Sequence, residues 1–340
     1  MLASEYREIN PWHLIGLYLI CPVLLVVVII DISFMNAAIL STLPDRPDEW
    51  VFWVVVFILP HIISSFITMA DSENVKTYGS KLRLAIVVLV IASIFINGVI
   101  PSFLSGSNLY QFQLAFFAIF GFSTIFHVLS QQFGICLILG RIRPTSNFNY
   151  FKWSAVILSF LLYMVVFTSE QLSALNDSND IVRECSILLI ISLLLLVFYF
   201  GLKVFVTSKT KVGGIYIALN VFMLVSVSLF IVMEYYIFAL IIPRIIHDIS
   251  AFIFYSNHDD NKFRYKENNY IYLLIKNIPL SVGVVSPILG VAIAYVINMI
   301  SAWVLLYLII VLEFLHYYIE SFIWKTGGNH RKYLKIKFYV

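Results

Sequence analysis

Charge is scarce in this chain: only 12% of its 340 residues are Asp, Glu, Lys or Arg. A soluble domain carries roughly a quarter, so a water-facing surface around a chain of this length is excluded. The formal net charge is only +3, too small for a polyanion-binding face, and nucleic acid is not an expected partner. Cysteine is rarer still. Cys21, Cys136 and Cys185 are scattered through apolar segments and no CxxC pair exists, which leaves neither a disulfide framework nor a thiolate metal site. No Gly-rich phosphate loop and no G-x-S-x-G occurs, so nucleotide and serine-hydrolase chemistry of the soluble type are excluded. The closely spaced histidine boxes of membrane desaturases are missing as well.

What the chain has in plenty is apolar length. Hydrophobic residues make up 61%, and they fall in runs at 12–34, 50–69, 82–101, 109–139, 151–168, 184–206, 214–257, 277–299 and 302–324. About 20 helical residues cross a bilayer core, and the runs are of helix length rather than the alternating ~10-residue strands of a barrel. The expected fold is therefore all-α: a polytopic transmembrane helical bundle forming one integral-membrane domain over 1–340. The first run, from Trp12 to Phe34, is too long for a signal-peptide core and lacks a small-residue cleavage site, so it reads as a span. Trp12, Trp50, Trp53, Trp153 and Trp324 lie near span ends, as interfacial anchors do.

Lys and Arg in short loops set the orientation. Basic loops hold Lys76, Lys81 and Arg83; Arg141, Arg143 and Lys152; and Lys203, Lys209 and Lys211. A basic tail over 325–340 carries Lys325, Arg331, Lys332, Lys335 and Lys337. These alternate with poorly basic loops, which places both termini in the cytoplasm, here the inner face of a bacterial cytoplasmic membrane. The segment with Lys262, Arg264 and Lys266 is basic too, so the run 214–257 must cross an even number of times. Two spans turning near Glu234-Tyr235-Tyr236 give ten in all; one long tilted helix would give nine.

In the ten-span arrangement four spans that run inward each carry a deep histidine: His61, His127, His247 and His316. Each lies about nine to twelve residues from the cytoplasmic end of its span, or about 14–18 Å at 1.5 Å per residue. That is one layer near the bilayer midplane. Four imidazoles at one depth suit a shared metal ion, Fe(II) first, with zinc, copper, a di-iron pair or a haem as alternatives. The plain alternative for any one of them is a hydrogen-bonded packing residue.

Neighbouring residues fit a site. Helical steps of 100° put Glu313 and Glu320 on the face of His316, and Glu-x-x-His is the ligand pair of bundle di-metal proteins, though it occurs once here. Glu313, Glu320 and Asp248 are the candidate catalytic carboxylates, and Asp248 is also placed to orient an imidazole. Gln131 lies one turn below His127, and Ser65 one turn after His61. Pro60 and Pro243 precede two of the proposed ligands, each leaving a backbone carbonyl without its helical donor. His258, eleven residues after His247, is about 16 Å from it along a helix and cannot share its ion. With Asp259 and Asp260 it reads as a cytoplasmic entrance. His13 and His330 read as surface residues.

The segments "HDISAFIFYSNHDDN" and "LHYYIESFIWKTGGNHRKY" resemble runs in uncharacterised bacterial polytopic membrane proteins, of the form H-D-x-x-A-F-x-F-Y-x-x-H-D and H-Y-Y-x-E-x-F-x-W-K. The resemblance raises His247, Asp248, His258, His316 and Glu320 above their neighbours and implies no activity. In architecture the chain is also similar to the membrane carotene-cleaving dioxygenases linked to bacterial rhodopsins, in which histidines from several spans hold iron. The expected function is a membrane metalloenzyme, a non-haem iron oxygenase or oxidase acting on a lipophilic small molecule. A metal-ion or proton transporter using the same His and Glu residues is the rival, and a purely structural membrane protein leaves the matched histidines unexplained.

Overall fold

The structure is a computed structural model and describes residues 6–43, 59–174, 180–263, 268–274, 282–299, 302–324 and 329–337. Trp50, Trp53, the Val56 carbonyl that Pro60 would free, Arg264, Lys266 and Lys325 lie outside the described residues. All the long elements among them are helices: α1 Pro11–Phe34, α2 Leu59–Met69, α3 Ser72–Phe103, α4 Gly106–Gly140, α5 Ser146–Ala174, α6 Asp180–Thr207, α7 Lys211–Val232, α8 Tyr236–Phe263, α9 Tyr270–Leu274, α10 Val282–Asn298 and α11 Ala302–Ile323. Seven of the described helices, α1 and α3 to α8, contain a stretch long and apolar enough to cross a membrane. The chain is thus an all-helical integral-membrane protein. Its polarity is inverted to match: Phe34 is 81% exposed and Ile91 61%, whereas His61, Asp248 and His316 are fully buried. Large apolar side chains on the outside need lipid rather than water around them, and in lipid a helix satisfies its own backbone.

The turn expected near Glu234 is present, which overturns the single long helix over 214–257. α7 ends at Val232, Glu234 takes a left-handed φ of +66° and is exposed, and α8 begins at Tyr236. No glycine or proline makes this break. Its anchor is Asp31, buried in α1, whose Oδ2 accepts the Tyr235 hydroxyl at 2.6 Å. The same carboxylate accepts the backbone N–H groups of Ile39 at 2.9 Å and Leu40 at 3.0 Å. One side chain therefore holds both the loop after α1 and the α7–α8 turn.

The contacts divide the chain into two compact units. One holds Pro11–Trp50, Ala115–His247 and Phe338–Val340. In it α5 packs along α6, and α7 packs on α1, α5 and α6. The tightest approach is between Gly213, at the start of α7, and Gly140, at the end of α4. A Cβ on Gly213 would fall on the Gly140 backbone itself. Thr210 caps α7 by accepting the Gly213 N–H at 3.0 Å.

The other unit holds Met1–Asn10, Val51–Leu114 and Asp248–Lys337. α2 is buried along almost its whole length and lies against α10, where Gly290 allows close approach: a Cβ there would be 2.8 Å from the Pro60 carbonyl oxygen. α11 packs on α2 and α3, and Met69, Leu315, Ile319 and Ile323 form an apolar cluster. The described part of the expected basic tail is no free appendage. Ile9 donates to the Lys335 carbonyl at 2.8 Å and Lys337 donates back to Ile9 at 2.9 Å. The Asn261 carboxamide on α8 donates to the Arg7 carbonyl at 2.9 Å and the Tyr333 carbonyl at 2.8 Å. His330, read from the sequence as a surface residue, is only 3% exposed, because this packing draws the Asn329–Tyr333 turn inward. Trp324 packs on Tyr255 at 5.1 Å between ring centres.

Two outcomes follow from this packing. Gly213→Ala should lower stability by about 1–3 kcal/mol, the usual cost of overpacking, while Gly214→Ala, whose nearest neighbour is the Phe205 ring edge at 3.2 Å, should cost less; thermal unfolding in detergent measures both. Burial, aided by His258 and Lys262, lowers the His330 pKa to about 3. Between the unfolded value near 6.5 and that folded value, the unfolded chain binds a proton that the folded chain does not, so this histidine's contribution to stability falls as pH falls through that window. With chelator present, acidification from about pH 7 to 5 should lower the unfolding temperature more in the wild type than in His330→Asn.

Candidate metal centre

His61 sits on α2 and His316 on α11, both fully buried, and they meet Nε2 to Nε2 at 3.2 Å with the rings nearly perpendicular. What lies on the other nitrogens decides which atoms carry protons. His61 Nδ1 is 3.1 Å from Asp248 Oδ1, within ion-pair distance but without the alignment of a hydrogen bond. His316 Nδ1 is 3.0 Å from Ser65 Oγ, and the Ser65 hydroxyl proton is already given to the Ile62 carbonyl at 2.6 Å. Ser65 therefore accepts from His316 Nδ1–H. The two Nε2 atoms face each other at 3.2 Å in a buried interior, close enough to share one proton or one cation. Two nitrogens about 2.1 Å from a metal and 3.2 Å apart subtend about 100° at the ion, between the octahedral and tetrahedral angles.

The carboxylates divide in role. Asp248 touches His61 rather than orienting His247, its neighbour in sequence. Glu320 lies with Oε1 3.8 Å from His316 Nε2 and accepts the Tyr255 hydroxyl at 2.7 Å; it is buried, not hydrated near headgroups. Glu313, also buried, accepts the Tyr317 hydroxyl at 2.9 Å, one turn along its own helix.

In the other unit α4 brings His127 to His247 of α8, with ring centres 5.1 Å apart at 77° and ligand nitrogens within 4.8 Å. Two rings at that spacing, each about 3.2 Å from an ion, subtend about 105°. Gln131, expected to orient His127, has no hydrogen bond through its carbonyl oxygen to any described residue. The next residue takes up a nearby role: Gln132 Nε2 donates to the Pro243 carbonyl at 3.3 Å, tying α4 to α8 one turn before His247. Arg244 is buried beside it in sequence. Both were passed over as site residues in the sequence. Five helical steps turn Gln132 about 140° away from His127, so periodicity gave no signal for it.

His258 and Asp259 are no open entrance. They are 0% and 4% exposed, and Asp259 accepts Thr68, Tyr272 and the His258 ring in a closed hydrogen-bonded group. The physical reason is the cover formed by the two chain termini over this end of α8. His13 is exposed, as expected. No family model, curated protein or solved structure matches the chain.

Tyr255 was also missed, although its seven-residue step from Asp248 puts it on the same face of α8. Tyr255→Phe should leave Glu320 a buried carboxylate short of one donor, lowering stability by about 1–3 kcal/mol. Denaturant unfolding of the purified variant in detergent reads this out, and an unchanged midpoint contradicts the assignment.

Proposed function

We propose that His61, His127, His247 and His316 together hold one transition-metal ion inside the membrane, and that the protein is a metalloenzyme acting on a lipophilic substrate. The observation that carries the reading is the His61–His316 pair, whose Nε2 atoms meet at 3.2 Å with Asp248 and Ser65 beside the outer nitrogens. The second pair supports it: His127 and His247 are spaced for one ion, and each of the four residues offers one ring nitrogen. The equal depth counted along the four spans agrees with a single layer.

An all-imidazole donor set favours iron, copper, zinc or nickel over hard cations. Iron(II) is the reading adopted, because an ion within lipid reach suits oxygen chemistry on apolar molecules, as the architectural likeness to carotene-cleaving dioxygenases implies. Such a reaction balances without added reductant: one C=C and the O–O bond break, and two C=O bonds form. The ion would supply O2 activation. The chain's own residues orient the imidazoles through Asp248 and Ser65, keep water out with buried helices, and place Glu320 beside His316. Ten spans with both ends in the cytoplasm, in a bacterial inner membrane, complete the arrangement.

Elemental analysis of the purified protein tests this. Near-stoichiometric iron is expected, falling to roughly a tenth or less in His127→Ala and in His316→Ala, and unchanged in His13→Ala. Equal metal in all four proteins rejects the site. Metal uptake into sealed vesicles with no tightly held ion makes the protein a transporter instead.

A further inference from the structure

A second pair of imidazoles lies at the C-terminal end of α8. His258 is fully buried and its Nδ1 is 2.9 Å from Asp259 Oδ1. Asp259 is itself held by the Thr68 hydroxyl at 2.9 Å and the Tyr272 hydroxyl at 2.6 Å. A carboxylate so placed keeps the proton on His258 Nδ1 and leaves Nε2 as a bare acceptor. This is the outer support that metal-binding histidines use. Nε2 of His258 has no hydrogen-bond partner among the described residues, and neither has Nδ1 of His330. The two rings are 5.5 Å apart, tilted by 39°, and the Tyr333 and Trp324 rings wall His258 at 5.6 Å and 6.0 Å. The nearby buried cation, Lys262, is already matched by Asp71 at 2.9 Å.

We propose that His258 Nε2 and His330 Nδ1 bind a second transition-metal ion, with water completing its shell. A metal about 2.1 Å from a ring nitrogen lies about 3.2 Å from the ring centre, so rings 5.5 Å apart subtend about 120° at it. Two neutral imidazoles select a borderline dication such as Zn2+ over Mg2+ or Ca2+. Asp248, which faces His61, is ten residues back along α8, or about 15 Å. The two ions are therefore separate, and this site stands whether or not the first holds iron. The sequence reading of His258 as an entrance residue becomes a binding role, and His330, at the other end of the chain's last helical turn, becomes its partner.

The full-length protein in detergent, equilibrated with Zn2+ and passed through a desalting column, reports bound zinc by elemental analysis. His258→Asn and His330→Asn should each hold one equivalent fewer than the wild type, with an unchanged gel-filtration profile. Asp259→Asn should weaken the same equivalent 10–100-fold, and Tyr333→Phe should keep it. His316→Ala should lose the midplane metal and keep this zinc equivalent, which separates failure here from failure at the midplane. In that His316→Ala background zinc should still raise the unfolding temperature with one-site saturation. Wild-type zinc content in both His258→Asn and His330→Asn, or no zinc-dependent shift in His316→Ala, overturns the proposal.

Discussion

The structure turns on two imidazole nitrogens held face to face at 3.2 Å between buried helices. At 3.2 Å, with no proton or cation between them, His61 and His316 would repel, and buried polar groups left unmatched are costly. His316 is held in this orientation by Ser65, whose hydroxyl donates to the Ile62 carbonyl, and His61 has Asp248 3.1 Å from its outer nitrogen. The helices that carry them are closely seated too: α2 is pinned on α10 at the Gly290–Pro60 contact. Such preorganisation makes sense for a site that receives a cation.

Around that point the fold reverses the arrangement of a soluble protein. Large apolar side chains face outward, and polar ones are gathered inside, several of them bonded within their own helix. Ser64 returns its hydroxyl to the Pro60 carbonyl, Asn220 to the Tyr216 carbonyl, and Asp31 gathers three donors from two separate loops. In hydrocarbon each of these groups lacks water as a fallback, so the polar residues that remain inside carry either structure or chemistry. Asp31 belongs to the first kind; the histidine pairs are the candidates for the second.

The sequence made the helical membrane character legible because apolar run length is a direct physical requirement of the bilayer. It also pointed to His61, His127, His247 and His316, since depth along a span follows from a fixed rise per residue. The α7–α8 turn followed from the parity of basic loops, although its cause, the Asp31–Tyr235 bond across some two hundred positions, has no local signature. The same limit explains the misses. His330 lies in a polar tail and looks hydrated until Asn257 and Asn261 draw the termini together. Gln132 rather than Gln131 meets α8 because helix packing, not residue type, decides which of two adjacent amides faces a neighbour. Periodicity reports which face a residue is on; it does not report what is opposite.

X-ray absorption at the edge of the metal carried by the purified protein is the most direct measurement. A first shell dominated by nitrogen at about 2.0–2.2 Å, with the outer-shell scattering of about four imidazole rings, is the predicted spectrum. A shell of oxygen donors without imidazole scattering would contradict the account.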